Sequence, residues 1–111
     1  PTVLAVLSAK VGSIEDNYLG GWYSYRASKA ALNMLVKTLS IEYKRTYPQM
    51  SVQAIHPGTT RTTLSEPFLK RVKHQIWEPH QAAENIIATI EKTSKEGSGL
   101  FKNWDGETLA W

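Results

Sequence analysis

The strongest constraint on the fold is an apolar run without alternation, Val3-Leu4-Ala5-Val6-Leu7. Such runs read as strands buried on both faces, the habit of parallel sheets. We read residues 3–8 as a first strand. Residues 9–21 break any period with Gly12, Ser13, Asp16, Asn17, Gly20 and Gly21, and read as a loop. From Trp22 to about Arg45, Ala27, Ala30, Ala31, Met34, Leu35, Thr38 and Leu39 recur at three and four. That spacing predicts a helix buried along this stripe, with Ser24 the candidate cap and Pro48 marking its end. Ser51 to His56 reads as a second strand, closed by Pro57-Gly58. Residues 59–65 are polar, and 66–76 read as a loop or short helix. Pro79 suits the first turn of a second helix, with Ala82, Ala83, Ile86, Ile87 and Ile90 as its buried stripe. Gly97-Ser98-Gly99 ends it, Leu100-Phe101 begins a short third strand, and Asn103-Trp104-Asp105-Gly106 is a turn.

The order strand, helix, strand, helix, strand predicts an α/β fold with a parallel sheet and right-handed crossovers. Repeats, low-complexity tracts and linkers are missing, so residues 1–111 read as a single unit with one core. No apolar run reaches the roughly 18 residues that span a bilayer, and we expect no membrane contact. Residues 1–7 are apolar but short and without basic residues, so we do not read them as a signal peptide. The sequence has no cysteine, which excludes disulfides and cysteine-ligated metal and fits a cytoplasmic protein. The net charge of +3 is scattered. Its one dense run, Lys70-Arg71-Val72-Lys73-His74, carries no interleaved aromatic for stacking bases, so it reads as solvated surface and we expect no nucleic-acid partner. His56, His74 and His80 lack metal-ligand spacing, so no metal is expected. Trp22 and Trp104 read as lining a loop packing site. The chain opens on Pro1 and enters a strand at once. Either it is the later part of a longer protein, as we expect, or a Met-Pro start has been processed.

Tyr25 and Lys29 stand at i and i+4 on the first predicted helix, one turn apart on one face. No other tyrosine here has lysine four residues later. A free phenol is a poor acid or base at neutral pH, and a neighbouring ammonium favours its ionised form. The pair could therefore exchange a proton with a substrate. On spacing alone it fits an ordinary helix surface equally well.

Its context is more specific. Tyr25-Arg26-Ala27-Ser28-Lys29-Ala30-Ala31-Leu32 follows a strand ending in Ser8 and a glycine-containing loop, and precedes His56-Pro57-Gly58-Thr59-Thr60-Arg61-Thr62. In this order of motifs the chain resembles the short-chain dehydrogenase/reductase family of NAD(P)-dependent oxidoreductases, over residue 3 to about 105. The loop Gly12–Trp22 and the Trp-Asp-Gly tail resemble its carbonyl reductase and C-factor branch. The resemblance implies the C-terminal half of a Rossmann-type, doubly wound parallel sheet. It implies hydride transfer between NAD or NADP and a small carbonyl or alcohol substrate. Tyr25 is then the general acid, and Lys29 binds the nicotinamide ribose and tunes Tyr25. Pro57 and Gly58 bend past the nicotinamide, and Thr62 bonds the cofactor near its carboxamide or phosphates. Residues 63–76 fall where the family has its mobile substrate loop. The first helix often packs on a second subunit in this family, which implies a homo-oligomer.

Three departures qualify the resemblance. The family's substrate-orienting serine, three residues before the loop glycine, is Ala9 here. Ser13 and Ser8 are the replacements on offer. We take Ser13 as the catalytic candidate, because Ser8 points to the opposite face from Ala9. The other reading is that Ser13 bonds only its own loop. Gln53 replaces a frequent asparagine, and we attach little to it. The glycine-rich turn that cradles the cofactor diphosphate does not occur in these residues, so the cofactor site is incomplete and we expect this chain alone to be inactive. The alternative function is a non-enzymatic binding or signalling module on the same scaffold, which Ala9 favours and the Tyr25–Lys29 pair opposes.

Overall fold

The computed structural model describes Thr2–Ser94 and Glu96–Trp111. Strand β1 (Thr2–Leu7) leads through a 3-10 turn (Lys10–Gly12) to helix α1 (Tyr23–Thr46) and strand β2 (Met50–His56). Two short strands follow, β3 (Thr59–Thr60) and β4 (Ile76–Trp77), with a 3-10 segment (Glu66–Arg71) between them. Helix α2 (Pro79–Thr93) then leads to β5 (Phe101–Asn103) and β6 (Thr108–Leu109). The main sheet has the order β1-β2-β5-β6. The first two ladders are parallel, with Val3 opposite Ser51 and Ala54 opposite Phe101, and β6 closes it antiparallel. The parallel α/β alternation is the one the sequence predicts.

The core sits where β2 meets α1. Val52, Ala54 and Phe101 cluster with Val36 of α1. Burying a side chain such as Val52 or Phe101, each 0% exposed, contributes about 1.5–3 kcal/mol. Gln53 alternates to the other face, where its Oε1 accepts the Thr93 hydroxyl of α2 at 3.0 Å. The sheet is thus covered by one helix on each face. Gln53 is fully buried, and a Cβ at Gly97 would lie 2.5 Å from its Oε1, so it has a larger part in the fold than its sequence position suggested.

Four expectations are corrected. The strand buried on both faces is β2, not β1: β1 pairs with β2 alone among the described residues, and Leu4 and Leu7 remain exposed. The buried residues of α1 are Asn33, Val36 and Ser40; of the predicted stripe Ala30 and Leu39 are half-buried, Leu39 against the core, whereas Ala27, Ala31, Met34, Leu35 and Thr38 face outward. A polar residue is acceptable inside where it finds a partner, and Asn33 accepts the Ser8 hydroxyl at 2.5 Å. In α2 the buried residues are Ala82, Thr89 and Thr93, with Ile86 and Ile90 half-buried and Ala83 and Ile87 exposed. Finally, Ser24 lies within α1, and its N-cap is Trp22.

Candidate functional site

The parallel strands β1, β2 and β5 end at Leu7, His56 and Asn103, and the loops beyond these ends gather the candidate residues. In open α/β sheets this carboxyl end is where ligands bind. A cavity of about 700 Å³ opens there, lined among others by Lys10, Arg26, His56, Gly58, His74, Trp77 and Trp104. Gly58 has φ +81°, and a Cβ on it would meet the Trp77 and Trp104 rings at 2.9 and 3.0 Å. Glycine there serves both the left-handed turn and the close approach. The two indoles pack edge-on, 4.9 Å between centroids, and Thr89 anchors the Trp104 carbonyl at 2.6 Å.

The loop before α1 is brought close by Gly12. A Cβ at that position would lie 2.8 Å from Lys29 Cβ and 2.9 Å from the Lys29 carbonyl carbon. Gly20, Gly21 and Trp22 then run through three successive left-handed residues, φ 68°, 72° and 55°. Tryptophan in that region is strained. The Arg26 guanidinium holds the segment, donating to the carbonyls of Gly21 at 2.9 Å, Gly20 at 3.1 Å and Val11 at 3.3 Å. Trp22 stands edge-on to Tyr25 and to Phe68, at 6.2 and 5.2 Å.

Tyr25 and Lys29 come together as their spacing requires: Lys29 Nζ lies 5.9 Å from the Tyr25 ring centroid. Tyr25 is half-exposed at 45%, and Lys29 is half-buried. Neither lines the cavity, whose lining includes Arg26 and Gly58. Ser13 is buried, donating to the Trp111 carbonyl at 3.1 Å and accepting the Asp16 N–H at 3.1 Å. Ser8 is bonded to Asn33, and Ala9 is buried without a hydroxyl. Thr62 pairs with Ser65, whose Oγ accepts the Thr62 N–H at 2.9 Å. Arg61 bridges to Glu66 at 3.3 Å and Glu78 at 3.1 Å, tying the 61–78 segment to the start of α2. Among the described residues no cluster could hold a metal ion.

Two residues that sequence reasoning set aside belong to the cavity. His56 Nδ1 accepts the Lys10 N–H at 3.0 Å, and His74 Nε2 lies 2.6 Å from Thr59 Oγ1. Burial, then the charges of Lys10 and His74, lower His56 to about 4, so it is neutral near pH 7. These partners lie 46 and 15 residues away, beyond any local sequence signal.

A phenol beside an ammonium thus stands at the carboxyl end of a parallel sheet, on a doubly wound α/β scaffold. The family model for short chain dehydrogenase matches residues 9–73, and the chain belongs to that family. It is 38% identical, over 97% of its own length, to the 1-hydroxy-2-glutathionyl-2-methyl-3-butene dehydrogenase of Rhodococcus sp. (strain AD45), of which it covers 46%. It superposes with TM-score 0.82 and 34% identity on the carbonyl reductase Sniffer of D. melanogaster, over 98% of this chain and 41% of that one. NADPH-bound carbonyl reductase from chicken fatty liver gives TM-score 0.80 and 31% identity, over 98% and 42%. The chain spans less than half the length of these relatives. No helix among the described residues is long and apolar enough to cross a membrane.

Proposed function

We propose that the protein carrying this chain reduces a small carbonyl, or oxidises the matching alcohol, with a nicotinamide cofactor, and that the chain supplies the proton-transfer residues. The observation that carries this is the Tyr25–Lys29 pair, with its ammonium 5.9 Å from the phenol ring. Lys29 Nζ has no hydrogen-bond or ion-pair partner among the described residues, so a half-buried cation is free for ribose hydroxyls. In this respect the residues present fit the nicotinamide half of the cofactor. When bound, the nicotinamide supplies the hydride for the carbonyl carbon. Tyr25 gives its phenolic proton to the carbonyl oxygen, and in the reverse direction takes it back. Lys29 holds the ribose, and its charge steadies the phenolate that Tyr25 leaves behind. Pro57 and Gly58, the turn at the cavity, would pass the nicotinamide. Thr62 would hydrogen-bond the cofactor with the hydroxyl that here pairs with Ser65. NADPH in the chicken enzyme favours NADP over NAD. The cysteine-free sequence suits a cytoplasmic setting. The outward apolar stripe of α1 is the surface on which we place a second subunit.

Cofactor titration separates the two roles. Lys29→Met in the full-length protein is expected to weaken nicotinamide binding about 10- to 100-fold, the loss of a charged hydrogen bond. Unchanged affinity would remove Lys29 from the cofactor site. A binding module without chemistry is the second reading, and buried Ala9 at the serine position favours it.

A further inference from the structure

We propose that Ser13 and Trp111 form a latch fixing the loop between β1 and α1, so that both act as positioning residues for substrate and neither touches the reacting carbonyl; this rests on the reductase reading above. Three donors converge on one oxygen. The Trp111 main-chain carbonyl accepts the Ile14 N–H at 3.0 Å, the Glu15 N–H at 3.2 Å and the Ser13 hydroxyl at 3.1 Å. Ser13 Oγ also accepts the Asp16 N–H, so residues 13–16 close on themselves around the same point. Ser13 is 2% exposed, which leaves its hydroxyl no route to solvent or ligand without breaking this arrangement.

The acceptor is itself held in place. The Trp111 indole stacks on Phe101, with centroids 5.6 Å apart and planes 21° from parallel, and Phe101 is a fully buried core residue. The loop is therefore referenced to the core through a residue about a hundred positions downstream. Ordering a segment that lacks regular structure costs backbone entropy, which such anchors offset. Arg26 clamps its far end, and Gly12 seats its near end on Lys29. The latch holds the stretch between. Lys10, Asp16, Tyr18 and Leu19 of this loop form one wall of the cavity at the strand ends. Loosening the latch blurs that wall and leaves Tyr25 and Lys29, which stand on α1, in place.

The test compares Ser13→Ala, Trp111→Ala, Trp111→Phe and the double alanine variant in the full-length protein, by steady-state kinetics and cofactor binding. Ser13→Ala removes a hydrogen bond and Trp111→Ala removes the stack that seats the accepting carbonyl; each is expected to raise the carbonyl KM about 3- to 10-fold. Turnover at saturation and cofactor affinity should hold within about twofold. The double variant should be no worse than the weaker single, because both remove one latch. Trp111→Phe, which keeps the stack, should restore the KM. A Ser13→Ala enzyme with kcat reduced and KM unchanged, beside a silent Trp111→Ala, would overturn the proposal and put Ser13 on the carbonyl. Amide hydrogen exchange at Ile14 and Glu15 supplies a second reading without catalysis. It should quicken in Ser13→Ala even if Trp111→Ala does not fold, and unchanged exchange there contradicts the latch. A wild-type protein inactive on every carbonyl, with exchange still quickened, would sink the reductase reading alone.

Discussion

His56 shows how far a residue's chemistry departs from its sequence context. Its neighbours in the chain, Ile55 and Pro57, carry no charge, yet the fold brings Lys10 and His74 to it. In the unfolded chain it titrates near 6.5, and in the fold near 4. Above pH 6.5 it is neutral in both states and pH has no effect through it. Between 6.5 and 4 the unfolded chain takes a proton that the fold refuses, so stability falls as pH falls, and the loss levels off below 4. The whole window is worth at most about 3 kcal/mol. Protonation also removes the Nδ1 acceptor that holds the Lys10 N–H. Urea unfolding at pH 7 and pH 4.5 should show this loss in the native protein and a smaller one in His56→Gln; equal losses would mean that His56 is not the sensitive group. Tyr25 and Lys29, by contrast, were legible, since one helical turn decides their relation. The bond of Ser13 within its own loop, to the Asp16 N–H, was among the readings on offer; its bond to Trp111 was not, because that partner lies 98 positions away.

At the scale of elements, the sequence reveals α1 but not its orientation. Apolar spacing points to Ala27, Ala31, Met34 and Leu35, whereas the sheet meets Asn33, Val36 and Ser40. The sheet-facing side is partly polar: the Asn33 oxygen accepts the Ser8 hydroxyl and the Ser40 hydroxyl donates to the Lys37 carbonyl, while Asn33 Nδ2 has no hydrogen-bond partner among the described residues. No hydrophobic period reports that. The two-residue strands β3 and β4 pair in parallel, with Thr59 opposite Ile76, and are too short for any alternation to reveal. The start of α1 at Trp22 depends on a left-handed run that Arg26 holds, a tertiary device outside cap preferences. Gly12 tests the contact between this loop and the helix. In Gly12→Ala the new methyl meets the base of the Lys29 side chain and its main chain, neither of which can swing away. Overpacking of this kind costs about 1–3 kcal/mol. Thermal or urea unfolding should register that loss, together with weaker cofactor binding as Lys29 is displaced. Native-like stability would mean that the loop and helix are not in close packing.

For the molecule as a whole, the alternation of apolar runs and helical periods was enough to give the α/β class, because parallel strands need helical crossovers. It was not enough to rank the strands. β2 is central and β1 lies at the margin of the described sheet, a matter of which neighbours are present and not of composition. Helices on both faces and loops gathered at the strand ends put Tyr25, Lys29 and the Gly58 turn on one end of the molecule. The central claim is that Tyr25 moves the proton there. It is tested by comparing wild-type and Tyr25→Phe full-length protein for carbonyl-dependent oxidation of reduced nicotinamide cofactor, with cofactor affinity measured alongside. Loss of the general acid should lower turnover about 10²- to 10⁴-fold, with affinity nearly unchanged because the phenol handles a proton and makes few cofactor contacts. A Tyr25→Phe protein that keeps most of its turnover, or a wild-type protein with none, would contradict the account.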